Sequence, residues 1–184
     1  PTKTTGTTAQ VLGPFYLPNM PLLDNGQLAR PNEAGERLTV SGSVLSTEGG
    51  IIKNAELDFW QADAEGRYSS FNEGVPQYNL RGKIKSKNDG SFLLQTVKPA
   101  QYTIPDQGPT GILLKAIGRH SWRPAHLHVI VRHEDYQTLT TQIYFRGDEY
   151  LSTDAVRAAN DDLAFPLRKN EEGSCVAFNL ILRE

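Results

Sequence analysis

The run Arg123-Pro124-Ala125-His126-Leu127-His128 places two histidines two residues apart, ahead of the apolar stretch Val129-Ile130-Val131. On a β-strand, side chains at i and i+2 leave the same face, so both imidazoles would address one point and could bind one metal ion. Two half-exposed strand histidines remain the plain alternative. The apolar surroundings favour the metal, because an idle imidazole pair among such strands gains nothing for its desolvation. Two tyrosines also stand out: Tyr68, ending Gly66-Arg67-Tyr68, and Tyr102, ending Pro99-Ala100-Gln101-Tyr102. Each is expected in the loop that follows a strand, where sites are commonly carried. By residue type alone they are packing tyrosines with solvated hydroxyls. On the same terms Arg123 is half of a surface ion pair and Gln142 a polar strand residue.

The elements that must position these groups read as strands. Short β-branched and aromatic runs alternate with Gly, Pro, Asn and Asp, and neither a repeat nor a heptad interrupts them. Strands are expected at Leu38 to Val44, Glu56 to Gln61, Ser91 to Val97, His126 to Arg132, Thr140 to Phe145 and Cys175 to Leu182. Glu48-Gly49-Gly50 and Asn88-Asp89-Gly90 supply turn residues between them. Short helices are expected at Gly111 to Gly118 and at Asp154 to Leu163, the second capped by Thr153 or Asp154. The pattern predicts an all-β fold, an antiparallel β-sandwich with one or two short peripheral helices. The Pro-, Asn- and Gly-rich stretch from Gly13 to Glu36 should wrap over it as irregular chain and help line a pocket.

Composition narrows the function. A chain of 184 residues, 38% hydrophobic, is the size of one domain that buries its own core. The whole of 1–184 is therefore read as a single catalytic domain. With 19 Lys and Arg against 21 Asp and Glu, the net charge of −2 offers no field for nucleic acid or anionic membrane. No run approaches the roughly 18 apolar residues that span a bilayer, and no signal-peptide pattern opens the chain. Cytoplasmic residence is expected. The proline start and the threonines Thr2, Thr4, Thr5, Thr7 and Thr8 suggest trimming, with secretion as the alternative if a signal or a further domain has been removed. The single cysteine, Cys175, excludes an internal disulfide and any CxxC site, and reads as a buried strand residue.

Taken in order, Gly-Arg-Tyr68, Pro-x-x-Tyr102, Arg123-Pro-Ala-His126-x-His128 and Leu139-Thr140-Thr141-Gln142 resemble the intradiol ring-cleavage dioxygenase family, over about Gly13 to about Asp148. The resemblance implies that Tyr68, Tyr102, His126 and His128 bind one mononuclear non-haem iron(III). The donor chemistry agrees, since two phenolates are hard anionic ligands suited to the ferric state. It further implies that a small aromatic diol and O₂ are the partners and that Tyr102 doubles as the local base. Arg123 would stabilise charge developing on the ring, and Gln142 would orient its neighbours. The expected reaction inserts both oxygen atoms and yields a cis,cis-muconate.

Two features depart from the family's common pattern. Larger members carry a helical N-terminal region used for dimerisation, whereas this chain enters at Gly13-Pro14-Phe15-Tyr16 with little before it, which leaves a homo-oligomer open. Trp60 to Tyr68 resembles the protocatechuate branch, but Gly108-Pro109 and Gly118 to Trp122 resemble the catechol, chlorocatechol and hydroxyquinol branch. Uncarboxylated rings are expected to be preferred, with Ile112-Leu113-Leu114 as an apolar wall. The alternative is protocatechuate 3,4-dioxygenase-like specificity, with Arg67, Lys83 or Lys85 as the carboxylate anchor. A non-catalytic β-sandwich binding module is a second alternative. A cupin site would need a further histidine on a later strand, and the last histidine is His133; His120 belongs to the turn leaving the helix with Arg119.

Overall fold

Alternation in Arg37–Ser46 (β1) turns Leu38, Val40 and Val44 inward and makes this the central strand of one sheet. The computed structural model describes residues 5–184, so Thr2 and Thr4 of the threonine-rich opening lie outside the described residues. The other elements, in chain order, are β2 (Glu56–Gln61), β3 (Arg81–Lys85), β4 (Ser91–Val97), β5 (Tyr102–Thr103), α1 (Pro109–Ala116), β6 (Trp122–Arg123), β7 (His126–His133), β8 (Tyr136–Phe145), β9 (Ala164–Phe165), β10 (Arg168–Asn170), β11 (Gly173–Ala177) and β12 (Leu180–Leu182). One five-stranded sheet has β4 on one edge of β1 and β11 with β12 on the other, β10 lying outside β11. The second runs β3-β2-β7-β8-β9, and β5 pairs with β6 alone. The apolar faces of both five-stranded sheets meet in one core, where the Phe59 and Phe92 rings lie 6.1 Å apart.

The chain is mostly β, as the pattern predicts, but it is not purely antiparallel. β1 runs parallel to β11 and β12, and β8 runs parallel to β9. The C-terminal strands reach β1 only after most of the chain has intervened, so no hairpin constrains their direction. The strand expected over Cys175 to Leu182 divides at Phe178-Asn179. There the Phe178 carbonyl crosses Gly42 so closely that a Cβ on Gly42 would stand 1.7 Å from it, and Asn179 Oδ1 accepts the Ser43 amide. Cys175 lies on β11 half-buried, not buried.

Of the two expected helices, the first forms as α1, with Pro109 in its first turn. Its Ile112 and Leu113 are 59% and 61% exposed, so only Leu114 packs inward and the expected apolar wall is not built from these three together. The segment Asp154 to Leu163 is not an α-helix. The Asp154 carboxylate accepts the amides of Val156, Ala158 and Ala159, and Arg157 sits at φ +54°, which leaves a tight turn and one 3₁₀ turn, Asp161–Leu163. Among the described residues no helix is long and apolar enough to cross a membrane.

The N-terminal wrap covers the outer face of the second sheet. The Gln10 amide bonds Thr140, Met20 is buried, and Tyr16 Oη donates to Asp58. That covered outer face carries the chemistry.

Candidate metal centre

Strand register sets up the site. On the outer face of the second sheet, Arg81 stands opposite Trp60, Trp60 opposite His128 and His128 opposite Gln142, so one row crosses four strands; His126 stands opposite Tyr144 in the next row. The His128 ring stacks on Trp60 at 4.6 Å and 8°. Both histidines are buried, as a shared strand face implies.

The tyrosines arrive from two connections. After β2, Asp63 Oδ1 accepts the amides of Glu65 and Arg67, closing a turn whose Gly66 has φ +80°. A Cβ on Gly66 would lie 2.7 Å from the Gln101 carbonyl and 3.1 Å from Tyr102 Cβ, so the glycine lets this loop touch the segment bearing the second tyrosine. The two rings meet edge to face at 5.4 Å. Tyr68 lies in the loop after β2, as expected; Tyr102 instead opens the short strand β5, paired with Arg123 on β6. Phe15 of the wrap stacks on Tyr68 at 4.3 Å and 13°.

Donor atoms converge here. His126 Nδ1 is 2.7 Å from the Pro124 carbonyl, which can only accept, so Nδ1 carries the proton and Nε2 keeps a lone pair. His126 Nε2 is 3.1 Å from His128 Nε2. Two nitrogens each about 2.1 Å from a shared ion stand about 3 Å apart when they subtend a right angle. The Tyr68 hydroxyl and His128 Nδ1 are buried and, among the described residues, have no hydrogen-bond partner. Burial, then the Arg123 charge, pushes His126 down to about 3, and burial, then His126, holds His128 well below its usual value, so both rings are neutral donors. Burial raises Tyr68 well above the usual phenol value, with Tyr102 adding to it, and burial raises Tyr102 too. A bound cation reverses that balance by favouring the phenolate. Among the described residues no three His, Cys, Asp or Glu side chains converge as a metal site; half of this donor set is phenolic. The residues fit a hard trivalent ion.

Arg123 links the set. Nη1 donates to Tyr102 Oη at 3.3 Å and to His126 Nε2 at 3.2 Å. Nη2 donates to Gln142 Oε1 at 3.0 Å and Tyr144 Oη at 3.3 Å. Asp154 takes Nε and Nη2 at 3.0 and 3.1 Å. Burial opposes the Arg123 charge, but the hydrogen bonds to Asp154 and the electrostatics of Tyr102, Asp154 and Tyr144 together outweigh it. The surface ion pair that residue type alone suggests for Arg123 is thus a buried one. Gln142 Nε2 donates to the Val11 carbonyl and ties the wrap to the same network.

All six residues singled out in the sequence therefore meet: Tyr68, Tyr102, Arg123, His126, His128 and Gln142. Sequence reasoning missed Asp154, Tyr144, Trp60, Phe15 and Arg81. Tyr144 was within reach, two residues beyond Gln142 on one strand face. The others depend on register or on chain crossings that no local pattern records. The remaining histidines lie elsewhere, His120 on Thr153 and Tyr150, His133 beside Asp135 and Tyr136.

A family model described as "Dioxygenase" matches residues 11–184. The chain is 38% identical over 161 residues to a chlorocatechol 1,2-dioxygenase of Cupriavidus pinatubonensis, covering 88% of this chain and 63% of that protein. It is 40% identical over 163 residues to a hydroxyquinol 1,2-dioxygenase of a Rhizobium species, covering 88% of this chain and 55% of that one. The crystal structure of a 3-chlorocatechol 1,2-dioxygenase from Rhodococcus opacus superposes with a TM-score of 0.91 at 37% identity, covering 98% of this chain and 74% of that one. The chain thus spans less than two thirds of the length of the first two relatives.

Proposed function

This chain belongs to the intradiol ring-cleavage dioxygenase family, and we propose accordingly that it cleaves a catechol-type diol between its two hydroxyl-bearing carbons, using one iron(III) held by Tyr68, Tyr102, His126 and His128. The observation that carries the reading is the convergence of one buried phenol, one part-buried phenol and two neutral imidazole lone pairs beside a guanidinium whose donors are all engaged. Iron(III), when bound, supplies a Lewis acid that draws electron density out of a chelated diol and opens it to O₂.

The chain's own groups divide the remaining work. Tyr68 is 1% exposed and wedged under Phe15, whereas Tyr102 is only part-buried and its Oη already bonds Arg123 Nη1. Tyr102 is therefore the residue that, as the phenolate a bound cation would favour, is suited to take a diol proton at Oη. A lone pair of His126 Nε2 given to an ion no longer accepts from Arg123, which frees Nη1 for the substrate. Asp154 and Gln142 meanwhile hold Nε and Nη2 in place. Phe15, Tyr16 and Met20 of the wrap exclude water from the inner side.

The iron-loaded protein is expected to be red to burgundy and, with catechol and O₂ alone, to form cis,cis-muconate carrying both atoms of labelled O₂. A colourless loaded protein, or a yellow semialdehyde product, would rule the reading out.

On substrate, the proposal favours uncarboxylated rings. Of the cations that could anchor a carboxylate, Arg67 pairs with Asp63 and Glu65, Lys83 pairs with Glu56 and Asp58, and Lys85 lies exposed at the end of β3. A buried carboxylate without a paired cation is penalised. Catechol or a chlorocatechol is expected to exceed protocatechuate in kcat/KM by at least tenfold; parity in a side-by-side assay would overturn the preference.

A further inference from the structure

Arg81 is 1% exposed, yet among the described residues no carboxylate is ion-paired with it. Its donors go elsewhere. Nε reaches Ser69 Oγ and Nη2 the Ser69 carbonyl, Nη1 donates to the Phe15 carbonyl, and the guanidinium carbon lies 5.8 Å from the Tyr68 ring centroid. One side chain of β3 thus ties down the residue after Tyr68 and the residue stacked on Tyr68. The backbone at both ends of this clamp is in the left-handed region, Leu80 at φ +51° just before Arg81 and Ser70 at φ +64° just after Ser69. Residues with a Cβ keep such conformations where their surroundings over-determine them. A buried cation without a carboxylate calls for an anion nearby, and the phenolate-bearing ligand shell proposed above is its neighbour.

We propose that Arg81 is the positioning residue of the Tyr68 side of the site: a three-point clamp that holds Tyr68 and the Phe15 wrap in place and sets a fixed positive charge beside the Tyr68 ring. The inference rests on the reading of Tyr68 as an iron ligand, and the clamp itself can be tested without iron. Burial brings the guanidinium down to about 10, which leaves it charged at neutral pH.

The test compares Arg81→Met, Arg81→Lys, Ser69→Ala and Tyr68→Phe by hydrogen exchange of the iron-free proteins, iron retention against a chelator, and the visible band. In Arg81→Met, amides of 15–17 and 68–72 are expected to exchange at least tenfold faster while those of β7 are unchanged, and iron is expected to bind about 10- to 100-fold more weakly. Its band should move to longer wavelength, because a phenolate relieved of a neighbouring cation gives up its electron more easily. Arg81→Lys keeps the charge and should restore the band position but not the exchange protection. Ser69→Ala, which leaves the buried cation in place, should show the same exchange change to a smaller extent and serves if Arg81→Met does not fold. Parental exchange in both Arg81→Met and Ser69→Ala would overturn the clamp, and an unshifted band in Arg81→Met would overturn the role of its charge. Tyr68→Phe that keeps iron and colour would instead sink the ligand reading, and the iron-free exchange data would still decide the clamp.

Discussion

Arg123→Ala is expected to keep its iron and its colour while kcat falls by about 10² to 10³, the usual cost of losing one preorganised group aimed at developing charge. The expectation follows from the division of its donors: Nη1 faces Tyr102 and His126, the reacting end, while Nε and Nη2 are held by Asp154, Gln142 and Tyr144. KM should change little. Arg123→Lys should rescue poorly, since an ammonium cannot reproduce the planar fork that engages Asp154 and Tyr102 together. Iron content, band position and steady-state kinetics measured on one preparation decide the matter. A raised KM with parental kcat would show that Arg123 only helps binding.

The largest effect on stability is expected at Asp154. Its carboxylate is 2% exposed, is forked by Arg123 and accepts the Val156, Ala158 and Ala159 amides, so its removal strands a buried cation and opens a turn. Removing one partner of such a pair costs about 3–5 kcal/mol. Asp154→Ala should therefore unfold at markedly lower urea, and its kcat should fall because nothing then holds Nε. Arg123→Ala/Asp154→Ala should lose less stability than the two single changes added together; strict additivity would show that the pair is not coupled. Although burial alone would raise it, the hydrogen bonds and charge of Arg123 together with the Ala159 and Val156 amides hold this carboxyl below its ordinary value. Its contribution is then present above the unfolded-state value of about 3.9 and is lost as pH falls through the lower folded value. Parental and Asp154→Ala urea midpoints should run parallel from neutral pH down to about 4 and converge only below it. Convergence already near pH 6 would assign the effect to another group.

Strands dominated by their own alternation were legible in advance. Glu56–Gln61 and Ser91–Val97 form over the expected residues because each presents apolar side chains to a core along much of its length. Charged β3, and the two-residue strands β5 and β6, were not legible, because pairing with neighbours rather than their own composition makes them extended. Asp154 was misread as a helix cap for a related reason. A capping Asp and a buried counter-ion have the same local sequence, and only the arrival of Arg123 from β6 tells them apart.

By itself the sequence determined which atoms could hold a metal: the i, i+2 histidines share a face because strand geometry is local, and the ordered motifs around Tyr68, Tyr102, Arg123 and Gln142 carry the family resemblance. Tertiary structure alone decided how those atoms are held. The stack of Trp60 on His128, the closure of Phe15 over Tyr68, the reach of Arg81 to Ser69 and Phe15 behind it and the Asp154 fork on Arg123 all join residues far apart in the chain. Such contacts are set by sheet register and by the crossing of separate connections. Those follow from the packing of the whole core, which no short stretch of sequence contains.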